Sequence, residues 1–290
     1  MNDQAARLRS MIGRKTRSIA ISSGKGGVGK SNFTLNFALA LQQRGCEVLI
    51  FDADIGFSNI ELLLGTRPKY NLLDVMHGRK TIWDVVHHAH EGIKMISGGS
   101  GLHELIRLKE DEINDFMSQI NELSGKVDYI LFDTGAGLSR ESLKVIAAAD
   151  ETWIVTTSEP TSVTDAYAVI KMVCHAGLDP RFGLIVNRVS STEEGKQTAE
   201  NIQFAAKRFL NKEIPLIGCI ADDAAVTKAV RKQIPFTLLY PNSRAAKDIV
   251  QCCSRFLSRY NPYKHEQTSV KGLFQKMVKW MQTVKEREGM

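Results

Sequence analysis

Short apolar, β-branched runs recur along the chain, and each is followed by a stretch of helical spacing. "SIAIS" (18–22), "EVLIFD" (47–52), "GIKMIS" (92–97), "DYILFD" (128–133), "TWIVTT" (152–157), "FGLIVN" (182–187) and "PLIGCI" (215–220) read as buried strands. Apolar residues at helical spacing predict helices near 31–45, 58–65, 109–124, 139–149, 161–176, 192–211, 222–232 and 243–260. Strands alternating with helices predict an α/β fold in three layers, a mostly parallel central sheet with helices on both faces. No internal repeat interrupts this order. The pattern predicts one domain over 18–260, a basic N-terminal tail over 1–17 and a linker with a further helix over 261–290.

Charge changes that picture at its ends. Of the net +6, residues 1–17 carry +4 and residues 261–290 carry +3, leaving −1 for 18–260. An anionic partner is therefore expected at the tails, and DNA binding by the body is disfavoured. No apolar run approaches the roughly 18 residues of a membrane span, and the N-terminus has no secretory core segment. Five scattered cysteines point to a reducing cytoplasm rather than a disulfide framework.

The chemistry concentrates at strand ends. "SSGKGGVGKSN" (22–32) follows a predicted strand, opens a helix and fits G-x-x-x-x-G-K-[ST] from Gly24 to Ser31. Gly26, Gly27, Val28 and Gly29 offer backbone N–H groups to phosphate, and the helix N-terminus around Lys30, Ser31 and Asn32 adds its dipole. Lys30 is expected on the β/γ-phosphates of ATP and Ser31 on Mg²⁺. "IFDADIGFSN" ends a strand with Asp52 and Asp54, two residues apart and so directed to one face. "YILFDTGAG" ends another with Asp133, suited to the magnesium shell. Lys25 is a second lysine in a loop already served by Lys30.

"KGGVGKS", "DADIGFSNIE" and "DTGAG" resemble the deviant Walker A ATPases, the family of MinD, ParA and the nitrogenase iron protein. That resemblance implies a P-loop NTPase fold and an ATP-dependent homodimer that hydrolyses ATP. It implies that Lys25 reaches the nucleotide of the partner subunit, as an arginine finger would. By the same likeness Asp54 positions the attacking water, and Ser31, Asp52 and Asp133 organise Mg²⁺. "VNR" implies Asn187 and Arg188 at the adenine, with Ala221 and Asp222 of "IADDAAV" as the opposite wall.

Within the family, the cysteines do not suit a shared iron–sulfur cluster, and Tyr260 with Tyr263 is too thin for a tyrosine-kinase tail. "VKGLFQKMVKWMQTVK" places Val270, Leu273, Phe274, Met277, Met281 and Val284 on one helical face, with lysines and glutamines opposite. After a polar linker on a basic tail, this stripe reads as a helix for an anionic membrane surface in preference to a purely structural one, engaged in the ATP state and hidden against the body without ATP. "DQAARLR", with Asp3, Gln4, Leu8 and Arg9, resembles the activating motif of the MinD-like ATPases of flagellar placement, the FlhG group. "EPTSVTDAY" (159–167) and Gly135 resemble the same group. The likeness implies stimulation of an FlhF-type GTPase, contact with flagellar C-ring switch proteins, and a cytoplasmic protein peripheral on the inner membrane face in the ATP state. A MinD-type division regulator or a ParA-type partition ATPase is the alternative. Trp83 and Trp153 read as core, and "HHAH" places His87 and His90 on one helical face without a third metal ligand.

Overall fold

A computed structural model of the chain describes residues 16–54, 59–98, 104, 110–137, 139–259, 270 and 272–277. Among the described residues eight strands form one sheet: β1 (Arg17–Ser23), β2 (Val48–Ala53), β3 (His87–His88), β4 (Lys94–Ser97), β5 (Tyr129–Ala136), β6 (Glu151–Thr156), β7 (Arg181–Val189) and β8 (Leu216–Ala221), in the order β3-β4-β2-β5-β1-β6-β7-β8. Every pairing is parallel except β3 with β4. The expected three-layer α/β fold is what forms.

Side-chain alternation divides the strand residues between two cores. Ile19, Ile21, Leu131, Trp153 and Val155 face α1 (Lys30–Gln42) and α11 (Arg244–Arg259). On that side lie also α2 (Asn59–Leu64), α9 (Ala224–Lys232) and α10 (Phe236–Leu239). Ala20, Ile130, Phe132 and Ile154 face the other layer. That layer comprises α3 (Leu72–Met76), α4 (Ile82–Val85), α5 (Glu110–Asn121), α6 (Arg140–Ala148), α7 (Pro160–His175) and α8 (Thr192–Leu210).

Two expectations are corrected here. Residues 87–90 are not helical. His87 and His88 pair antiparallel with Met95 and Lys94, and His90 begins a 3-10 turn in which Glu91 takes φ 52°. With no helix over 87–90, the helical face expected for His87 and His90 does not exist, and no metal-holding group of His, Cys, Asp and Glu occurs among the described residues. Trp153 is fully buried, but Trp83 on α4 is 41% exposed, its indole N–H donating to Glu122, just past the end of α5, at 2.9 Å. Amphipathic Trp satisfies its polar edge at the surface while its ring covers apolar neighbours.

The C-terminal stripe is packed on the body of the protein. Val270, Leu273, Phe274 and Met277 are all buried in the core beside α5 and α6. The Phe274 ring meets Phe116 at 5.7 Å, Phe51 at 6.1 Å and Phe132 at 6.5 Å between centroids. The stripe expected on a membrane only in the ATP state covers the sheet here, with Gln275 and Lys276 turned to solvent. The apolar periodicity is the one expected; its occupant is the protein's own β2–β5 surface. Met281 lies outside the described residues.

Candidate functional site

The chemistry collects at the C-terminal ends of β1, β2, β5, β6 and β7, where ligands sit in parallel sheets. The loop from Ser23 to Lys30 enters α1 through Gly29, whose φ of 92° is left-handed. A Cβ there would stand 2.3 Å from the Asn187 amide nitrogen, which donates to the Val28 carbonyl at 2.7 Å. Glycine at 29 thus serves both the backbone turn and the tie between the loop and β7. Lys30 opens the helix, and its Nζ donates to Asp133 Oδ1 at 2.8 Å with both groups buried.

Asp52 and Asp133 face each other across the β2–β5 pairing. Asp133 Oδ1 accepts from Lys30 and, at 3.3 Å, from Thr34, while its buried Oδ2 has no hydrogen-bond partner. Asp52 accepts from the backbone N–H of Asp54 at 3.2 Å and of Ile60 at 3.4 Å. Burial, and then the neighbouring Asp133 charge, push the Asp52 carboxyl up to about 8. Two buried acids beside one ammonium, one with an orphaned oxygen and the other resisting ionisation, leave the site short of positive charge. The donor set is hard oxygen, so a divalent cation such as Mg²⁺ fits it, with Ser31 at the mouth of the loop. Asp54 stands just beyond β2, half-buried, its Oδ2 accepting from Asn59 Nδ2 at 2.9 Å. Burial raises its carboxyl above the usual range.

Lys25 is not directed at its own phosphate loop. Its Nζ donates to Glu159 Oε2 at 2.7 Å and to Thr161 Oγ1 at 3.0 Å, at the entry to α7. The Lys25 ammonium holds the Glu159 carboxyl below its ordinary range, and Arg188 contributes in the same sense. Arg188 takes a left-handed φ of 56° and is exposed. Ala221 ends β8, its N–H donating to Asp248 at 2.9 Å, and Asp222 N–H donates to Val189 across to β7. Asn187, Arg188, Ala221 and Asp222 are thereby brought to one end of the β7–β8 pair. Asn187 spends its amide on the loop rather than on an open pocket.

Sequence reasoning missed Glu159, Thr161, Thr34 and Asn59. Glu159 and Thr161 meet Lys25, and Thr34 meets Asp133, across long stretches of chain, whereas Asn59 stands just past Asp54 in sequence, and the capping position of Glu159 before Pro160 leaves a local trace. Asp3, Gln4, Leu8 and Arg9 lie outside the described residues. Among the described residues no helix is long and apolar enough to cross a membrane.

Phosphate loop, buried lysine and paired strand-end aspartates on a parallel sheet define a P-loop NTPase. The family model described as ParA, NUBPL iron-transfer P-loop NTPase, matches residues 14–257. The chain belongs to this ParA/MinD family of P-loop proteins and is an ATPase. It is 34% identical over 260 residues to the antiactivator FleN of Pseudomonas aeruginosa, covering 89% of this chain and 93% of the relative. It is 32% identical over 296 residues to the flagellum site-determining protein YlxH of Helicobacter pylori, covering 97% of this chain and all of the relative. The septum site-determining protein MinD of Pyrococcus horikoshii, solved with Mg-ADP, matches with a TM-score of 0.66 and 26% identity over 84% of this chain and 98% of its own.

Proposed function

We propose that this ATPase is a dimerising, membrane-associating switch that regulates the number and placement of flagella. The observation that carries the reading is similarity to FleN and YlxH along nearly the whole chain, including the regions outside the phosphate loop. Lys30 binds the β/γ-phosphates of its own ATP. Lys25 leaves Glu159 for the phosphates of the partner subunit's ATP, where it stabilises developing charge. Asp54 holds the attacking water. Mg²⁺, held through Ser31 and the Asp52 and Asp133 pair, supplies charge neutralisation on the phosphates. A γ-phosphate competes with Asp133 for Lys30, which couples nucleotide to the loop after β5.

The remaining parts are outputs of that switch. Packing of Leu273, Phe274 and Met277 on the body supports an anchor that is withdrawn here and handed to an anionic membrane when the ATP dimer forms. Two anchors on one dimer bind as a linked pair, which raises avidity by roughly 10²–10⁴. The N-terminal motif acts on an FlhF-type GTPase. Met172, Phe204 and Phe209 are large exposed apolar side chains on the outer faces of the neighbouring helices α7 and α8. We place the contact with C-ring switch proteins there.

Light scattering in ATP and in ADP tests the core of this reading. Asp54→Ala should bind ATP, hydrolyse it poorly and remain a dimer. Lys25→Ala should bind nucleotide yet stay a monomer. An Asp54→Ala protein that is monomeric in ATP refutes the reading.

A further inference from the structure

Asp54 is the group the proposed reading assigns to the water, and its carboxylate is fixed by two features to which no role has been given. We infer that Asn59 and Gly135 are positioning residues for Asp54. The inference rests on that reading of Asp54.

A carboxylate that orders a water needs one oxygen tethered and the other free to accept. Asn59 tethers Oδ2 through its amide N–H at 2.9 Å. Asn59 is the first residue of α2, and the next residue, Ile60, is fully buried and donates its N–H to Asp52. One helical turn, anchored in the core by Ile60, therefore holds both strand-end aspartates. An amide suits this place because it donates; a carboxylate at 59 would set like charge against Asp54.

Oδ1, to which no hydrogen bond runs among the described residues, faces residue 135. A Cβ built there would lie 3.0 Å from Oδ1 and 3.6 Å from Cγ of Asp54. The 3.0 Å separation is tighter than a carbon and a carboxylate oxygen normally tolerate, so any side chain at 135 displaces the carboxylate by a few tenths of an ångström. Residue 135 is not among the glycines of left-handed φ. Its want of a side chain thus makes room for Oδ1 rather than meeting a backbone need. A misplacement of about 1 Å at a reacting centre costs on the order of 10²-fold in rate, so the smaller shift predicts roughly tenfold.

The test compares Asn59→Ala, Asn59→Asp and Gly135→Ala with the unaltered chain, each also in an Asp54→Ala background. Single-turnover ATP hydrolysis, KM, fluorescent-nucleotide affinity, melting temperature and the lifetime of the ATP dimer are read together. The inference expects kcat to fall about tenfold in Asn59→Ala and Gly135→Ala, and further in Asn59→Asp. KM and nucleotide affinity should stay unchanged, and the ATP dimer should live longer. In the Asp54→Ala background the same changes should be silent, because they act only through that carboxylate. Wild-type kcat in Asn59→Ala and Gly135→Ala alongside an inactive Asp54→Ala overturns the inference alone. So does an undiminished effect in the Asp54→Ala background, which marks a general structural role. An Asp54→Ala protein that hydrolyses ATP normally overturns the reading beneath it as well.

Discussion

Phe274→Ala separates a C-terminal helix that is part of the core from one that rests on it. Val270, Leu273, Phe274 and Met277 are each no more than 2% exposed. Burial of such side chains is worth about 1.5–3 kcal/mol apiece, or about 6–12 kcal/mol for four. That is comparable with the whole stability of a typical domain, about 5–15 kcal/mol, so the segment is not a bystander. Removing the Phe274 ring forfeits its transfer free energy and leaves a cavity between Phe51, Phe116 and Phe132. Core Phe→Ala changes cost about 3–5 kcal/mol. The lower end applies where the short helical segment at 272–277 shifts to fill part of the space. At about 2–4 °C per kcal/mol for a domain of this size, the melting temperature should fall by about 6–12 °C. Gln275→Ala, on the exposed side of the same turn, should move it by less than about 1 °C. Calorimetry or far-UV circular dichroism in ADP reads both. A Phe274→Ala protein that melts within about 1 °C of the unaltered chain refutes the packed helix and the energetics of its release.

Three further outcomes follow from the site and the tails. In nucleotide-free protein the Asp52 carboxyl, raised to about 8, keeps its proton in the folded state while the unfolded chain loses it near the ordinary value of 3.8. The folded state then binds more protons between those limits, so stability should fall as pH rises from about 4 to 8 and level off above, and Asp52→Asn should flatten that slope in thermal melts. A peptide of residues 1–20 should accelerate GTP hydrolysis by an FlhF-type GTPase, and Gln4→Ala should abolish the effect; an inert unaltered peptide removes this role from the tail. Co-sedimentation with anionic vesicles should require ATP and be lost in Phe274→Glu, whereas equal binding in ATP and ADP contradicts a gated anchor.

Local order along the chain specifies most of the architecture. The run from Ser22 to Asn32 encodes its own loop, because left-handed glycine and a lysine at a helix start need no distant partner to be recognised. Continuous apolar runs name the buried strands, and their ends place Asp52 and Asp133 where parallel strands present ligands. Periodicity also locates the apolar face at Leu273, Phe274 and Met277. It does not name what covers that face. A lipid surface and the groove of Phe51, Phe116 and Phe132 make the same demand on a helix, and only the tertiary arrangement shows that the groove is within reach. Trp83 and the histidines at 87–90 depart from the sequence expectation for a related reason. An aromatic or a short polar run carries no sign of whether its neighbour is solvent, a sheet edge or a core. Lys25 with Glu159, separated by 134 residues, and Asp133 with Lys30, separated by 103, meet because parallel strands bring distant loops to one edge of the sheet. Burial then sets the charge balance of Asp52, since desolvation depends on everything packed around a carboxyl and not on the residues beside it in the chain.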